Sequence, residues 1–296
     1  MDKQIDHVKM QKFNSFTHEE ILSNFGDWTT KIEELKEKYS VAIPFEHIII
    51  ENFLNEELAN IVSELYPADL SLYHKYDNPI EVKFAYDKIN LLDNRLKSIF
   101  YLLSTTVMEN IFSEITDIKL ENDPYLNGAG LHLHPRNGRL GIHLDYEIHP
   151  ISGKQRRLNV ILYLSKEWNE EWNGHSELWN SDITKCVVKS PVKFNSAIIF
   201  KTNEISWHGV SKKITCPEGV FRKTLAFYYI SDKINDSTVD KIGDNGTGFR
   251  KKASFVTRPD EENKDKIELF LKIRPFRRLE KKDVETFWPE WNSNTF

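Results

Sequence analysis

The chain has 296 residues and 34.8 kDa, of which 40% are hydrophobic, 12% aromatic and 29% charged, enough for one large domain with extensions around a sizeable core. With only 12 Gly and 11 Pro it is neither fibrous nor disordered in composition, and its aromatic load leans towards a β-rich core. A net charge of −5 and a pI near 6.1 argue against nucleic acid as an obligatory partner.

The opening residues, Met1 to Asp6, contain no apolar leader. Thr17 with Glu20 makes a capping-box pattern, after which Ile21, Phe25, Trp28, Ile32 and Leu35 recur at helical spacing. His47 to Ile50 reads as a short strand leading to Asn55, an N-cap for a helix that carries Leu58, Ile61, Val62 and Leu65 and stops before Pro67. A third helix is predicted from near Asp93, burying Leu96, Ile99, Phe100, Leu103, Val107 and Ile111. These elements carry packing and no chemistry. From about Leu131 the period changes to two: 131–134, 141–147, 157–164, 176–180, 196–200 and 222–230 are short, β-branched or aromatic runs, which predict a sandwich, jelly roll or barrel. A polar stretch follows Ser231 to about Gly248, then a predicted helix at 261–272 and a Trp-containing end. The basic run Lys272, Arg274, Arg277, Arg278, Lys281 and Lys282 is interspersed with acids and reads as a solvated face. Cys186 and Cys216 make neither a disulfide framework nor a Cys-based zinc site, and no segment has the ~20 apolar residues of a membrane span. A soluble, reducing, cytoplasmic setting is the expectation.

The β region holds the chemistry. His143 and Asp145 are two apart in a predicted strand, so both side chains reach one point. With the later His208 they complete a two-histidine, one-carboxylate set, which suits Fe(II) because it leaves coordination positions open. The spacing alone is weak. His18-Glu19-Glu20 shares it, but at a helix start where such positions diverge, and His175-Ser176-Glu177 competes at the start of a predicted strand. In 157–164 one face is the apolar row Leu158, Val160, Leu162 and Leu164, and the other shows Asn159, Ile161 and Tyr163. In 222–230 Arg222 and Thr224 share a face, and a guanidinium beside a hydroxyl anchors a carboxylate well.

The stretch His132-Leu133-His134-Pro135-Arg136-Asn137-Gly138 through His143-Leu144-Asp145 resembles the iron-binding strand of the prolyl 4-hydroxylase-like 2-oxoglutarate/Fe(II) oxygenases. Leu158 to Trp168, Gly174-His175-Ser176-Glu177-Leu178-Trp179, Trp207-His208-Gly209-Val210 and Arg222-Lys223-Thr224 resemble, in order, that family's later motifs. The resemblance implies a mainly β (α+β) fold: a double-stranded β-helix (jelly-roll) core at 121–231, an N-terminal helical support region at 1–120, and a C-terminal extension at 232–296 packed on the core. It implies that His143, Asp145 and His208 bind Fe(II), that Arg222 pairs with the distal carboxylate of 2-oxoglutarate with help from Thr224, and that Tyr163, His134 and Asn159 lie at the co-substrate. O2 is the oxidant and ascorbate a candidate reductant. The implied reaction hydroxylates an unactivated C–H bond of a peptidyl (prolyl-type) or small-molecule substrate, releasing succinate and CO2. A carboxylate at Asp145 fills the position a halide would need, which favours hydroxylation over halogenation.

Read without the family, Tyr163 serves equally as a core tyrosine, and Arg222 as an edge-strand residue. Fourteen residues separate His208 from Arg222, a few more than the family pattern, so the loop 211–220 is expected to bulge. His175 stands where the family has a small or acidic residue and reads as solvated or at a substrate rim. Two other classes remain open: a cupin-like non-redox metalloprotein or isomerase, for which Arg222 is dispensable, and a catalytically idle binding protein on the same scaffold.

Overall fold

The computed structural model describes residues 15–233 and 252–292. Helix α1 (His18–Leu22) opens on the expected capping box: Glu20 N–H donates to Thr17 Oγ1 at 3.1 Å, and Thr17 N–H to Glu20 Oε2 at 2.7 Å. The apolar stripe that follows does not run on as one helix. Phe25 bridges to Leu54, and the Trp28 indole stacks on Phe53 at 5.3 Å and donates to its carbonyl at 2.7 Å, so tertiary contacts interrupt the period before α2 (Ile32–Ser40). Helix α3 (Glu56–Glu64) follows its Asn55 cap as predicted, with Leu58 N–H donating to Asn55 Oδ1 at 2.8 Å.

The long helix predicted from Asp93 is two. Ser104 Oγ donates to the Phe100 carbonyl at 2.7 Å, closing α4 (Asn94–Leu103), and Thr105 caps α5 (Thr106–Thr116). Both hydroxyls compete for backbone partners where a continuous helix would need none.

The strands are β1 (His47–Ile50), β2 (His74–Asn78), β3 (Glu81–Tyr86), β4 (Glu121–Asn122), β5 (Gly130–His134), β6 (Arg139–Leu144), β7 (Gln155–Tyr163), β8 (Ser176–Trp179), β9 (Cys186–Ser190), β10 (Ala197–Lys201), β11 (His208–Val210), β12 (Arg222–Ser231) and β13 (Ser254–Val256). All pairings are antiparallel, in the order β1-β10-β7-β12-β5-β3-β6-β11-β8-β9, with β2 on β3, β4 on β12 and β13 on β6. This is a jelly-roll, double-stranded β-helix. The hairpin β2–β3 was not foreseen; its strands are rich in charge and lack a clean alternation. Strand β6 ends at Leu144, short of the predicted 147, so Asp145 follows the strand directly.

Period-two patterning decides which side of β7 meets what. Leu158, Val160 and Leu162 join one buried cluster with Leu96, Phe100 and Phe112 of α4 and α5, while Tyr163 belongs to a separate cluster on the opposite face. After β13, helices α6 (Lys264–Ile273) and α7 (Lys281–Phe287) bury Ile267, Phe270, Val284 and Trp288 against Ile80. The predicted polar stretch 231–248 lies outside the described residues beyond Lys233. Among the described residues no helix is long and apolar enough to cross a membrane, and both cysteines are free. Half of the basic run is matched by acids: Arg277 meets Asp283 at 2.5 Å, Lys281 meets Glu285 at 3.4 Å and Lys282 meets Glu280 at 3.0 Å. Arg274 differs, lying half-buried over the Phe255 ring at 5.1 Å.

Candidate metal centre

Strands β6 and β11 set the histidines. In their register His208 lies directly opposite His143, with ring centroids 4.3 Å apart. The close approach depends on Gly209, where an added Cβ would stand 2.9 Å from the Leu140 carbonyl oxygen. His143 Nδ1 meets the Gly141 carbonyl at 2.9 Å and His208 Nδ1 the Ser206 carbonyl at 2.8 Å. A carbonyl only accepts, so both Nδ1 atoms carry the proton and both Nε2 atoms turn a lone pair towards Asp145. His143 Nε2 is 3.6 Å from Asp145 Oδ1, and His208 Nε2 is 3.4 Å from Oδ2.

Three electron-pair donors thus converge, with all ligand atoms within 4.8 Å of one another. Burial, then the neighbouring His208, holds the His143 pKa below the ordinary imidazole value, which keeps it neutral and able to ligate. Burial alone would raise the Asp145 carboxyl, but Arg156, His208 and His143 outweigh it and hold it well below the usual range. Neutral imidazole nitrogens and an ionised carboxylate facing one point are the donor set of a divalent transition metal.

Arg156 was not foreseen. Its guanidinium is 3.1 Å from Asp145 Oδ2, lies 3.5 Å over the Tyr228 ring, and donates to Asn159 Oδ1 from Nε at 2.9 Å and from Nη2 at 2.6 Å. Asn159 in turn donates to Asp145 Oδ2 at 2.7 Å. By strict alternation Arg156 and Asn159 point to opposite faces. The β7–β12 register slips between Tyr229 and Ile230, leaving Arg157 as the extra residue of a bulge, and this brings Arg156 onto the face of Asn159.

On the same side of the barrel Arg222 is buried, 2% exposed, with no carboxylate partner among the described residues. It donates to the Gly174 carbonyl at 2.6 Å and to Ser176 Oγ at 3.0 Å. Gly174 sits at φ +88°, and an added Cβ would be 3.2 Å from the Arg222 side chain. Arg222 pairs across strands with His134, Thr224 with Tyr163, and the guanidinium lies 5.1 Å from the Tyr163 ring. Both ring nitrogens of His134 are buried without a partner, and the Tyr163 hydroxyl makes no well-aligned hydrogen bond beside the guanidinium. A buried cation flanked by unsatisfied polar atoms is a receptacle for an anion carrying acceptors. Arg222, Thr224, Tyr163 and His134 therefore cluster, while Asn159 is engaged at both ends by Arg156 and Asp145.

The rival motifs serve elsewhere. Glu177 is buried against Trp179 Nε1 at 3.0 Å and the Ser211 hydroxyl, with Arg258 at 3.5 Å, and Glu20 belongs to the α1 cap. His175 is half-buried, its pKa lowered chiefly by burial. The loop 211–220 packs inward, with Ile214 and Cys216 buried near Trp168 and Trp172. The C-terminal extension also reaches the centre: β13 pairs with β6 in a register that sets Phe255 opposite His143, their rings stacked at 4.9 Å. Neither Phe255 nor Arg258 carries a local signal that would link it to β6 or β8.

Residues 129–230 match a family model described as the 2OG-Fe(II) oxygenase superfamily. The match begins just before β5 and ends within β12. No curated protein matches the sequence significantly. Among solved structures, the chain is similar to a Trichoplax adhaerens prolyl hydroxylase in complex with a hypoxia inducible factor peptide fragment: 17% identity, TM-score 0.48, covering 71% of this chain and 95% of that one. A Pseudomonas putida prolyl-4-hydroxylase matches at 15% identity and TM-score 0.46, covering 66% and 98%. HygX from Streptomyces hygroscopicus, with nickel, 2-oxoglutarate and hygromycin B bound, matches at 12% identity and TM-score 0.42, covering 68% and 86%.

Proposed function

We propose that the protein is an Fe(II)- and 2-oxoglutarate-dependent dioxygenase that hydroxylates an unactivated C–H bond of a peptidyl (prolyl-type) or small-molecule substrate, releasing succinate and CO2. The observation that carries this reading is the pairing of two features on one side of the barrel: the His143, Asp145 and His208 donor set, and a buried Arg222 with no carboxylate partner among the described residues. His143 and His208 would hold the metal through Nε2, their Nδ1 protons fixed by backbone carbonyls. Asp145 would supply the third ligand, kept ionised by Arg156 and oriented by Asn159. Iron, when bound, supplies O2 activation driven by oxidation of 2-oxoglutarate. Arg222 would clamp the far carboxylate of 2-oxoglutarate, and Thr224, Tyr163 and His134 would supply hydrogen bonds around it. A non-redox metalloprotein gives the buried Arg222 no task.

The test is succinate formation from 2-oxoglutarate with Fe(II) and ascorbate in air, screened against proline-containing peptides and small metabolites. Substrate-stimulated succinate release that disappears in Asp145→Ala supports the reading. Folded, iron-loaded protein that makes no succinate with or without candidate substrates contradicts it.

A further inference from the structure

A cleft of about 910 Å³ opens between the β2–β3 hairpin and the C-terminal helices α6 and α7, separated from His143 by the Phe255 ring. That volume falls within the range of small-molecule sites. None of its lining residues belongs to the stretch 129–230 that matches the oxygenase family, so the cleft is the product of the chain's own extensions.

Four acids and four cations line it, but they are not paired one to one within it. Each acid already has a cation. Asp77 meets Lys75 at 2.5 Å and Glu81 meets Lys83 at 3.0 Å. Glu280 meets Lys282 at 3.0 Å and Glu285 meets Lys281 at 3.4 Å. Two cations remain. The guanidinium groups of Arg274 and Arg278 line the same cleft, and neither makes an ion pair or hydrogen bond with a described residue. Arg274 is half-buried, and Glu81 acts on it only through space. A half-buried guanidinium with five N–H donors and no acceptor is costly unless an anion completes it.

The cleft is also coupled to the centre. Arg274 lies 5.1 Å over one ring, Phe255, which itself stacks at 4.9 Å on the candidate metal ligand His143. Tyr76 and Trp291, both half-buried, supply aromatic wall beside the arginines. The four nearby carboxylates weaken the local positive field, which suits a singly charged group better than a dianion.

We propose that this cleft recognises the substrate of the adjacent centre, and that the substrate carries a carboxylate next to an aromatic or aliphatic body. The inference rests on the oxygenase reading for what happens to that substrate, but binding itself does not. A carboxylate of this kind comes either from a free small acid or from an acidic peptide, and two probes separate the sources.

The experiment is isothermal titration of the Fe(II)-loaded protein under anaerobic conditions with N-acetyl-tryptophan, its uncharged amide, and a hexaglutamate peptide, with 2-oxoglutarate titrated in parallel. Binding of N-acetyl-tryptophan points to a small acid and binding of hexaglutamate to a peptide. Where N-acetyl-tryptophan binds, its amide binds at least about tenfold more weakly or not at all, and whichever acid binds, Arg278→Gln weakens it at least about tenfold, each equivalent to about 1.4 kcal/mol. Arg278 is exposed, so its substitution leaves the fold intact; Arg274→Gln is the second variant. 2-Oxoglutarate affinity stays unchanged in both. The proposal is overturned if neither acid binds, if the amide binds as well as the acid, or if Arg278→Gln changes nothing. Loss of 2-oxoglutarate binding by the wild-type protein would instead strike at the oxygenase reading and leave the cleft result standing.

Discussion

The Arg156 guanidinium stands 3.1 Å from Asp145 Oδ2 while its face rests 3.5 Å above the Tyr228 ring. The cation therefore orients the one carboxylate of the donor set and is itself held by an aromatic face. Removing one partner of a buried pair leaves the other charge uncompensated, which costs about 3–5 kcal/mol. Arg156→Met is expected to lower stability by about 3 kcal/mol in urea unfolding, and to weaken metal binding about 10–100-fold because Asp145 and Asn159 lose their brace.

Arg222 makes a separate prediction. Among the described residues it donates to a carbonyl and a hydroxyl and meets no carboxylate, so a bound carboxylate is its first charge partner there. Truncating one member of such a desolvated pair costs about 2–5 kcal/mol in binding. Arg222→Gln should weaken 2-oxoglutarate by at least about 30-fold in calorimetry, while metal affinity, set by β6 and β11, stays within about twofold.

Acid sensitivity follows from buried neutral imidazoles. Burial, reinforced by Arg222, pushes the His134 pKa well below its ordinary value, and both its ring nitrogens lack partners. In the unfolded chain this histidine takes up a proton below about pH 6.5, whereas the folded protein does not. The unfolded state then binds more protons, so the stability of metal-free protein is lost as pH falls from about 6.5 towards the lowered folded value. Urea midpoints between pH 7 and 5 should fall, and His134→Asn should reduce that slope by up to about 1.4 kcal/mol per pH unit. An unchanged slope in the variant would show that His134 is already protonated in the folded state.

The tail's attachment is testable without reference to catalysis. Arg258 donates to Ser211 Oγ at 2.5 Å and approaches Glu177 at 3.5 Å, and Arg139 pairs with Glu261 at 2.7 Å, so two ion pairs tie the extension to the barrel. Glu177 is 4% exposed and would lose the cation that meets it among the described residues. Arg258→Met is expected to destabilise by about 3 kcal/mol in thermal or urea unfolding. An effect within about 0.5 kcal/mol would mean that the tail is not held there.

The legible parts of the sequence are those where local chemistry and tertiary structure agree. The Thr17 and Asn55 caps and the alternating faces of β7 and β12 follow from local spacing, whereas His143, Asp145 and His208, weak as a spacing, stand out through the resemblance of the motifs around them. Where they disagree, the sequence misleads. Ser104 and Thr105 split an apparently continuous helix because their hydroxyls seek backbone partners. Arg156 looks misdirected until the bulge at Arg157 is known, since one extra residue inverts strand parity. Phe255 reaches His143 across more than a hundred residues of chain, and nothing in the sequence near Ser254–Val256 marks it as a partner of β6.

The central claim is that His143, Asp145 and His208 bind iron in contact with 2-oxoglutarate held by Arg222. Its most direct test is the visible absorption of anaerobic protein given Fe(II) and then 2-oxoglutarate. A weak metal-to-ligand charge-transfer band is expected that appears only with both additions, is absent in His143→Ala, and requires far more 2-oxoglutarate in Arg222→Gln. Folded, iron-loaded wild-type protein that shows no such band, or a band of equal strength in His143→Ala, would contradict it.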